Sequence, residues 1–236
     1  MTLIAAFRTR NDGILLCSDR QEDEGVSIKE VEKIYRIRDL PPLEVFVAGA
    51  GPSTPLKNAC IDIHQSLKRS SDEGMDVLAE YQAIIENCLK NIHKKYSSIL
   101  KSWPINLIIV VAPRAHGCSP ILYQTDGPML SPETFYLAHG SGKHVADYLA
   151  GRLYKHGLTR AWLIVLAAFI FREAGASSPG VGSGTNMILI QEKAKQLELL
   201  GPQVVKEVED GIPSLSDSVL PDWMVHTKLP GWLKDE

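Results

Sequence analysis

The sequence predicts an α+β protein in which antiparallel sheets are flanked by segregated helices. Three observations carry this reading. The chain opens with two successive pairs of short β-prone runs. Two long stretches with apolar residues at helical spacing follow. Strands then return as a block before two more helices and a last strand pair. Regular alternation of strand and helix would imply a parallel, doubly wound sheet; this block order does not.

Residues 3–9 (LIAAFRT) and 13–19 (GILLCSD) are the first pair, joined through Asp12-Gly13. Asp-Gly between apolar runs is a strong hairpin signal, because glycine supplies the positive φ such turns need. A polar stretch, Arg20 to Glu32, leads to the second pair, 33–38 and 44–48. After Gly51-Pro52 the period changes. Leu56, Ala59, Cys60, Ile63 and Leu67 recur at three and four residues, as do Val77, Tyr81, Ile85, Cys88, Leu89 and Ile92, predicting helices over 54–70 and 75–101. Strands are expected at 105–112, 120–125 and 134–138, helices at 144–154 and 160–173, and a final strand pair at 185–191 and 196–200. Residues 1–210 read as a single domain. Residues 211–236, with Pro213, Pro221, Pro230, Trp223 and Trp232, read as an extended arm that packs on the body or on a neighbouring subunit.

Composition excludes several classes. The 236 residues are 44% hydrophobic with a net charge of −3, so the chain is neither disordered nor generally attractive to nucleic acid or acidic membranes. The longest apolar run, Ala161 to Phe171, is well short of the roughly 20 residues needed to span a bilayer. No export signal is visible at the start of the sequence, and the four cysteines, Cys17, Cys60, Cys88 and Cys118, show no CxxC spacing. A cytoplasmic protein with reduced, mostly buried thiols is the expectation.

Familiar site motifs fail in turn. Gly49-Ala50-Gly51-Pro52-Ser53-Thr54 lacks the third glycine of a dinucleotide fingerprint, and no βαβ unit surrounds it. His139-Gly140-Ser141-Gly142-Lys143-His144 has Leu137 and His144 where a phosphate loop needs glycine and a hydroxyl residue. The seven histidines show no metal-ligand spacing, and no nucleophile elbow sits at a strand-to-helix turn. Neither a cofactor nor a metal is expected.

One constellation does hold together. Thr2 stands directly behind Met1. A strand-turn-strand ends in Ser18-Asp19-Arg20, Lys33 opens the next strand, and Ala48-Gly49-Ala50-Gly51 ends the fourth. A threonine at a free N-terminus carries an α-amine that titrates near pH 7.7–8.0 in simple peptides (an approximate range), a proton acceptor beside its own hydroxyl.

In this order and near-correct spacing, the segment from Thr2 through Ser53-Thr54 resembles the start of a proteasome β-type subunit, including the bacterial HslV peptidases. These are N-terminal-nucleophile hydrolases with a four-layer αββα sandwich. The resemblance implies Thr2 as nucleophile, Asp19 as the acid closing the second strand, Lys33 as the essential lysine and Gly49 as the oxyanion donor. Gly140-Ser141-Gly142 is similar to the family's GSG, whose serine lies near the threonine amine. Val31, Tyr35, Val47 and Gly51 fall on positions that line the specificity pocket, implying an apolar side chain before the scissile bond. The sequence departs from the family at Leu3, where a second threonine is common, and in a longer turn at Arg10-Asn11-Asp12. The family's Asp-x-x-Ser is replaced by Glu173-Ala174-Gly175-Ala176 followed by Ser177-Ser178; Glu173 stands in for the aspartate and Ser177 for the serine, with Ser183 as another candidate.

The implied activity is that of a threonine peptidase assembled into a homo-oligomeric ring. Removal of Met1 would mature it, peptides or unfolded proteins would be its substrates, and an ATPase would feed it. Two alternatives remain open: an inactive proteasome-like scaffold, favoured by the altered Asp-x-x-Ser, and an amidohydrolase acting on small amides.

Overall fold

The computed structural model describes residues 2–11, 13–23, 28–40, 43–69, 77–113, 118–155, 157–182, 184–190, 198–200 and 202–211. The first hairpin forms from β1 (Leu3–Arg8) and β2 (Ile14–Asp19), closed where the Thr9 N–H donates to Gly13 O at 2.8 Å; Asp12 lies outside the described residues. A polar hairpin follows, β3 (Gln21–Asp23) and β4 (Ile28–Glu30), paired only with each other among the described residues. Next come β5 (Ile34–Leu40) and β6 (Leu43–Ala50), then helices α1 (Ser53–Arg69), α2 (Val77–Lys95) and the short α3 (Ser97–Leu100). Strands β7 (Asn106–Pro113), β8 (Ile121–Asp126), β9 (Met129–Glu133) and β10 (Tyr136–Gly140) precede α4 (Lys143–Leu153) and α5 (Arg160–Ser177). The described chain ends with β11 (Thr185–Ile190), β12 (Glu198–Leu200) and α6 (Pro202–Gly211).

Two five-stranded antiparallel sheets result, ordered β10-β1-β2-β11-β12 and β5-β6-β7-β8-β9. Strand alternation stacks them. Ile4, Ala6, Ile14 and Leu16 of the first sheet meet Phe46, Ala48, Ile108 and Val110 of the second in one cluster. On its other face, the first sheet packs Leu3, Ala5 and Phe7 against α4 and α5. Val45, Val47, Leu107 and Ile109 of the second sheet pack against α1 and α2. The order helix, sheet, sheet, helix is the four-layer αββα sandwich. β1 is an unbroken apolar run because both of its faces are covered. The apolar run Ala161–Phe171 is likewise part of α5, buried on nearly every side.

Four differences from the sequence expectation have plain causes. The predicted helix 75–101 breaks at Tyr96 (φ −111°, ψ 24°), dividing α2 from α3. β9 is unexpected because Pro132 interrupts it; it is an edge strand, where a residue without an N–H is tolerated. The polar β3–β4 hairpin has no apolar alternation to reveal it. α6 is also unexpected: it is a short helix that opens on Pro202 and buries Val205 and Val208 at i,i+3 spacing. Residues 212–236, the expected arm with its prolines and tryptophans, lie outside the described residues.

Candidate active site

The sandwich topology gathers one end of five elements. Thr2 precedes β1, Asp19 ends β2, Lys33 precedes β5, Gly49 lies near the end of β6, and Gly140-Ser141 closes β10. Thr2 shares strand parity with Ile4 and so faces the space between the sheets, where Lys33 reaches it from the opposite layer. All three polar side chains are buried: Thr2 is 6% exposed, Asp19 0% and Lys33 8%.

The Lys33 ammonium donates to Thr2 Oγ, to Gln21 O, and to both Asp19 carboxylate oxygens at 2.9 Å. The Thr2 hydroxyl in turn donates to Asp19 Oδ1. Backbone amides complete the hold on Asp19. Leu3 N–H donates to Oδ1 at 2.9 Å, and Gln21 and Gly182 N–H donate to Oδ2 at 3.3 and 3.1 Å. A buried carboxylate and ammonium are costly unless paired and fully hydrogen-bonded, and here both conditions are met.

β10 fixes the other side of Thr2. The Ser141 N–H donates to Thr2 O at 2.8 Å, and Ser141 Oγ lies 3.2 Å from the same carbonyl. Gly140 has φ 103°, and a Cβ there would lie 2.1 Å from Thr2 O, so only glycine permits the approach.

Gly49 borders the same cavity. Its N–H donates to Lys33 O at a long 3.3 Å, and a Cβ on it would meet Leu56 of α1 at 2.4 Å. Its lack of a side chain therefore also serves the packing of α1, a demand the sequence did not reveal.

A cavity of about 1280 Å³ opens in front of Thr2. Of the four residues expected to form a specificity pocket, Val31, Tyr35 and Gly51 line it. Val47 does not. Strand alternation turns it to the helix side of β6, fully buried in the cluster that holds Ala59 and Ile63. Glu32, Lys57, Trp103, Asp126 and His139 line the cavity as well.

Glu173 and Ser177 are not brought to Thr2. Glu173 Oε1 lies 3.9 Å from Arg172 Nε, and Ser177 Oγ donates to the Glu173 carbonyl one helical turn back. After α5, Gly182 reaches the cluster through its backbone, while Val181 packs against Gly142. A turn from Ser178 to Val181 (Val181 N–H to Ser178 O, 3.2 Å) presents the Gly182 N–H to Asp19. Ser183 lies outside the described residues. Sequence reasoning misses Gly182 because its place depends on long-range pairing: β11 runs against β2 with Thr185 opposite Asp19. Among the described residues no cluster of side chains fit to hold a metal ion occurs, and no helix is long and apolar enough to cross a membrane.

No family model matches the chain, and no curated protein matches its sequence. Solved structures do match. The Anbu (ancestral beta-subunit) of Yersinia bercovieri superposes with a TM-score of 0.72 at 13% identity, covering 97% of this chain and 98% of that one. An Anbu (Gly-1) mutant from Hyphomicrobium sp. strain MC1 gives 0.72 at 14% identity over 89% and 92% of the two chains. The Anbu complex of Pseudomonas aeruginosa, described as a helical assembly, gives 0.71 at 13% identity over 88% and 91%. The chain has the Anbu fold. That fold is two antiparallel sheets flanked by helices, and at this identity the likeness extends to the fold alone.

Proposed function

We propose that this protein is a threonine-type peptidase whose nucleophile is Thr2 once residue 1 has been removed. The observation that carries the reading is the Thr2 hydroxyl, held between the Lys33 ammonium and the Asp19 carboxylate at the head of a large cavity. In the reaction, Thr2 Oγ bonds to the scissile carbonyl carbon as its proton passes to the α-amine. Lys33 lowers the cost of negative charge on Oγ, and Asp19 fixes Lys33. Gly49 exchanges its long bond to Lys33 O for the oxyanion, a kind of contact worth about 3 kcal/mol in other enzymes. Collapse of the intermediate expels the amine half of the peptide, which takes up the proton. Water then attacks the Thr2 ester, releasing the acid half and restoring the hydroxyl. Ser141, bonded to the Thr2 carbonyl, positions the residue, while Val31, Tyr35 and Gly51 accept an apolar side chain.

By its proteasome-like fold the chain is read as a cytoplasmic subunit of a homo-oligomer, HslV-like in chemistry, with unfolded protein as substrate and an ATPase as feeder. The second reading, an inactive scaffold on the same fold, is favoured by one observation: Glu173 is turned to Arg172 and does not line the cavity in front of Thr2.

Intact-mass analysis after incubation with a peptide β-lactone or epoxyketone separates the two. The peptidase reading expects a single adduct on Thr2 of the wild type and none on Thr2→Ala. No adduct on wild-type protein that has lost Met1 establishes the scaffold instead.

A further inference from the structure

Among the described residues, two large apolar side chains that stand open to solvent also line the cavity in front of Thr2: Ile99, 44% exposed, and Trp103, 66% exposed. They belong to one tight helical turn. The Trp103 N–H donates to Ile99 O at 3.0 Å, an i,i+4 bond that puts both side chains on the same face. The Ser102 N–H uses that same acceptor at 3.2 Å, and the Lys101 N–H donates to Ser97 O at 3.2 Å. The backbone under this apolar pair is thus held in place.

The turn is also fastened to the site. β7 pairs with β6 so that Asn106 lies opposite Ala50 and Leu107 opposite Gly49. Just before β7, the chain touches Gly51: a Cβ there would lie 2.7 Å from Pro104 O and 3.0 Å from Ile105 Cα. With φ 129°, Gly51 adopts a backbone conformation that other residues rarely take, and its missing side chain lets the two backbones meet. Trp103, the residue before Pro104, is therefore seated beside the end of β6, the strand that carries Gly49.

Size shows how much of a substrate this space takes. A drug-sized ligand occupies pockets of about 300–1,000 Å³, and a cavity of about 1280 Å³ is far more than one side chain fills. Val31, Tyr35 and Gly51 account for one apolar side chain. Val31 and Tyr35 are half-buried, whereas the Trp103 indole is open, so an arriving chain meets it without any rearrangement. Covering a large, rigid aromatic surface gains much for little lost freedom, and tryptophan is among the residues that dominate binding energies.

We propose that Ile99 and Trp103 form a second apolar subsite for the peptide substrate, taking a side chain other than the one held by Val31 and Tyr35. This subsite rests on the peptidase reading of Thr2 and narrows its substrate class to extended segments with two spaced apolar residues. Trp103 touches the substrate and takes no part in bond making or breaking.

The test uses wild type, Trp103→Ala, Trp103→Phe and Tyr35→Ala in the full chain. A small aliphatic β-lactone with no peptide portion reports the reactivity of Thr2. A library of internally quenched peptides, carrying leucine or aspartate at each position in turn, reports recognition. Wild type should prefer leucine at two positions. Trp103→Ala should lose about tenfold more rate on peptides with leucine at one of them than on the small lactone, Trp103→Phe should keep most of that preference, and Tyr35→Ala should weaken the other. A uniform loss across the library, a loss at the position that Tyr35→Ala affects, or no loss overturns the proposal. A second measurement reads binding alone. The fluorescence of Trp103, taken as wild type minus Trp103→Phe, should change when a reduced-amide peptide with leucine at both preferred positions binds, and an unmoved signal at saturation overturns the subsite. Sedimentation tests the rival occupant: a smaller assembly for Trp103→Ala than for wild type means that a second copy of the chain covers the indole, and this too overturns it. If wild type takes no label from the small lactone and cuts no peptide, both the peptidase reading and this one fall. Labelling and cleavage with preferences indifferent to Trp103 remove the subsite alone.

Discussion

Asp19 Oδ2 accepts the Gly182 N–H at 3.1 Å, fastening the end of the second strand to the segment that follows the fifth helix. The other oxygen takes the Thr2 hydroxyl and the Leu3 amide, and both oxygens take Lys33. One carboxylate thus locks the candidate nucleophile, its lysine and two loops into a single arrangement.

Asp19→Asn should therefore cost more than a surface charge would. It leaves the buried Lys33 ammonium without its counter-ion, a loss of ~3–5 kcal/mol for pairs of this kind. Lys33→Met strands the carboxylate in the same way. The double variant should cost less than the sum of the two, and denaturant titration of all four proteins measures the coupling. Strict additivity would count against the pair acting as a unit.

Gly140→Ala should disable the site while sparing most of the fold. The new Cβ would stand 2.1 Å from Thr2 O on a backbone with φ 103°, so either the Thr2 carbonyl or β10 must move. The expected outcome is loss of Thr2 labelling together with a stability loss of about 1–3 kcal/mol. Labelling at the wild-type rate would refute the requirement for glycine here.

The cysteines should divide by burial. Cys17, Cys60 and Cys88 are buried and Cys118 is exposed. Desolvation raises the Cys17 and Cys88 thiols and pushes Cys60 up to about 12. At pH 8 that leaves Cys60 about one part in ten thousand thiolate, the reactive form. Brief alkylation of native protein should modify Cys118, and the other three only after denaturation. Peptide mass mapping reads this directly, and rapid native modification of Cys60 would contradict the packing of α1.

His139 should leave a mark on the pH dependence of stability. Its folded pKa is depressed, by burial first and Lys143 second, with Asp147 opposing. Below the unfolded value of about 6.5, the unfolded chain binds the proton more readily than the folded one, so stability falls as pH drops. Above that value the contribution is complete. Thermal unfolding between pH 5 and 8 should show this slope, and His139→Gln should flatten it; an unchanged slope in the variant would assign it elsewhere.

Much of the fold is legible because its signals are local. The apolar period of Leu56 to Leu67 announces α1, and the apolar runs of β1 and β2 announce their hairpin. The elements that escape lack such signals: β9 contains Pro132, and the β3–β4 hairpin is polar. At the site, the motif order places Thr2, Asp19 and Lys33 at one end of the fold, where the structure brings them into contact. The same reasoning puts Val47 in the pocket and Glu173 at the nucleophile. Strand alternation instead turns Val47 toward α1, and Glu173 faces Arg172.

The sequence by itself determined the α+β class, the position of most strands and helices, and the set of residues able to do chemistry. Those follow from backbone periodicity and side-chain identity, which are properties of short segments. Only the tertiary structure decided which face each strand presents, that Gly182 closes on Asp19, and that His139 Nε2 is buried with no hydrogen-bond partner among the described residues. Those are matters of register between strands far apart in sequence, and a register shift of one residue would turn every one of these side chains to the other face.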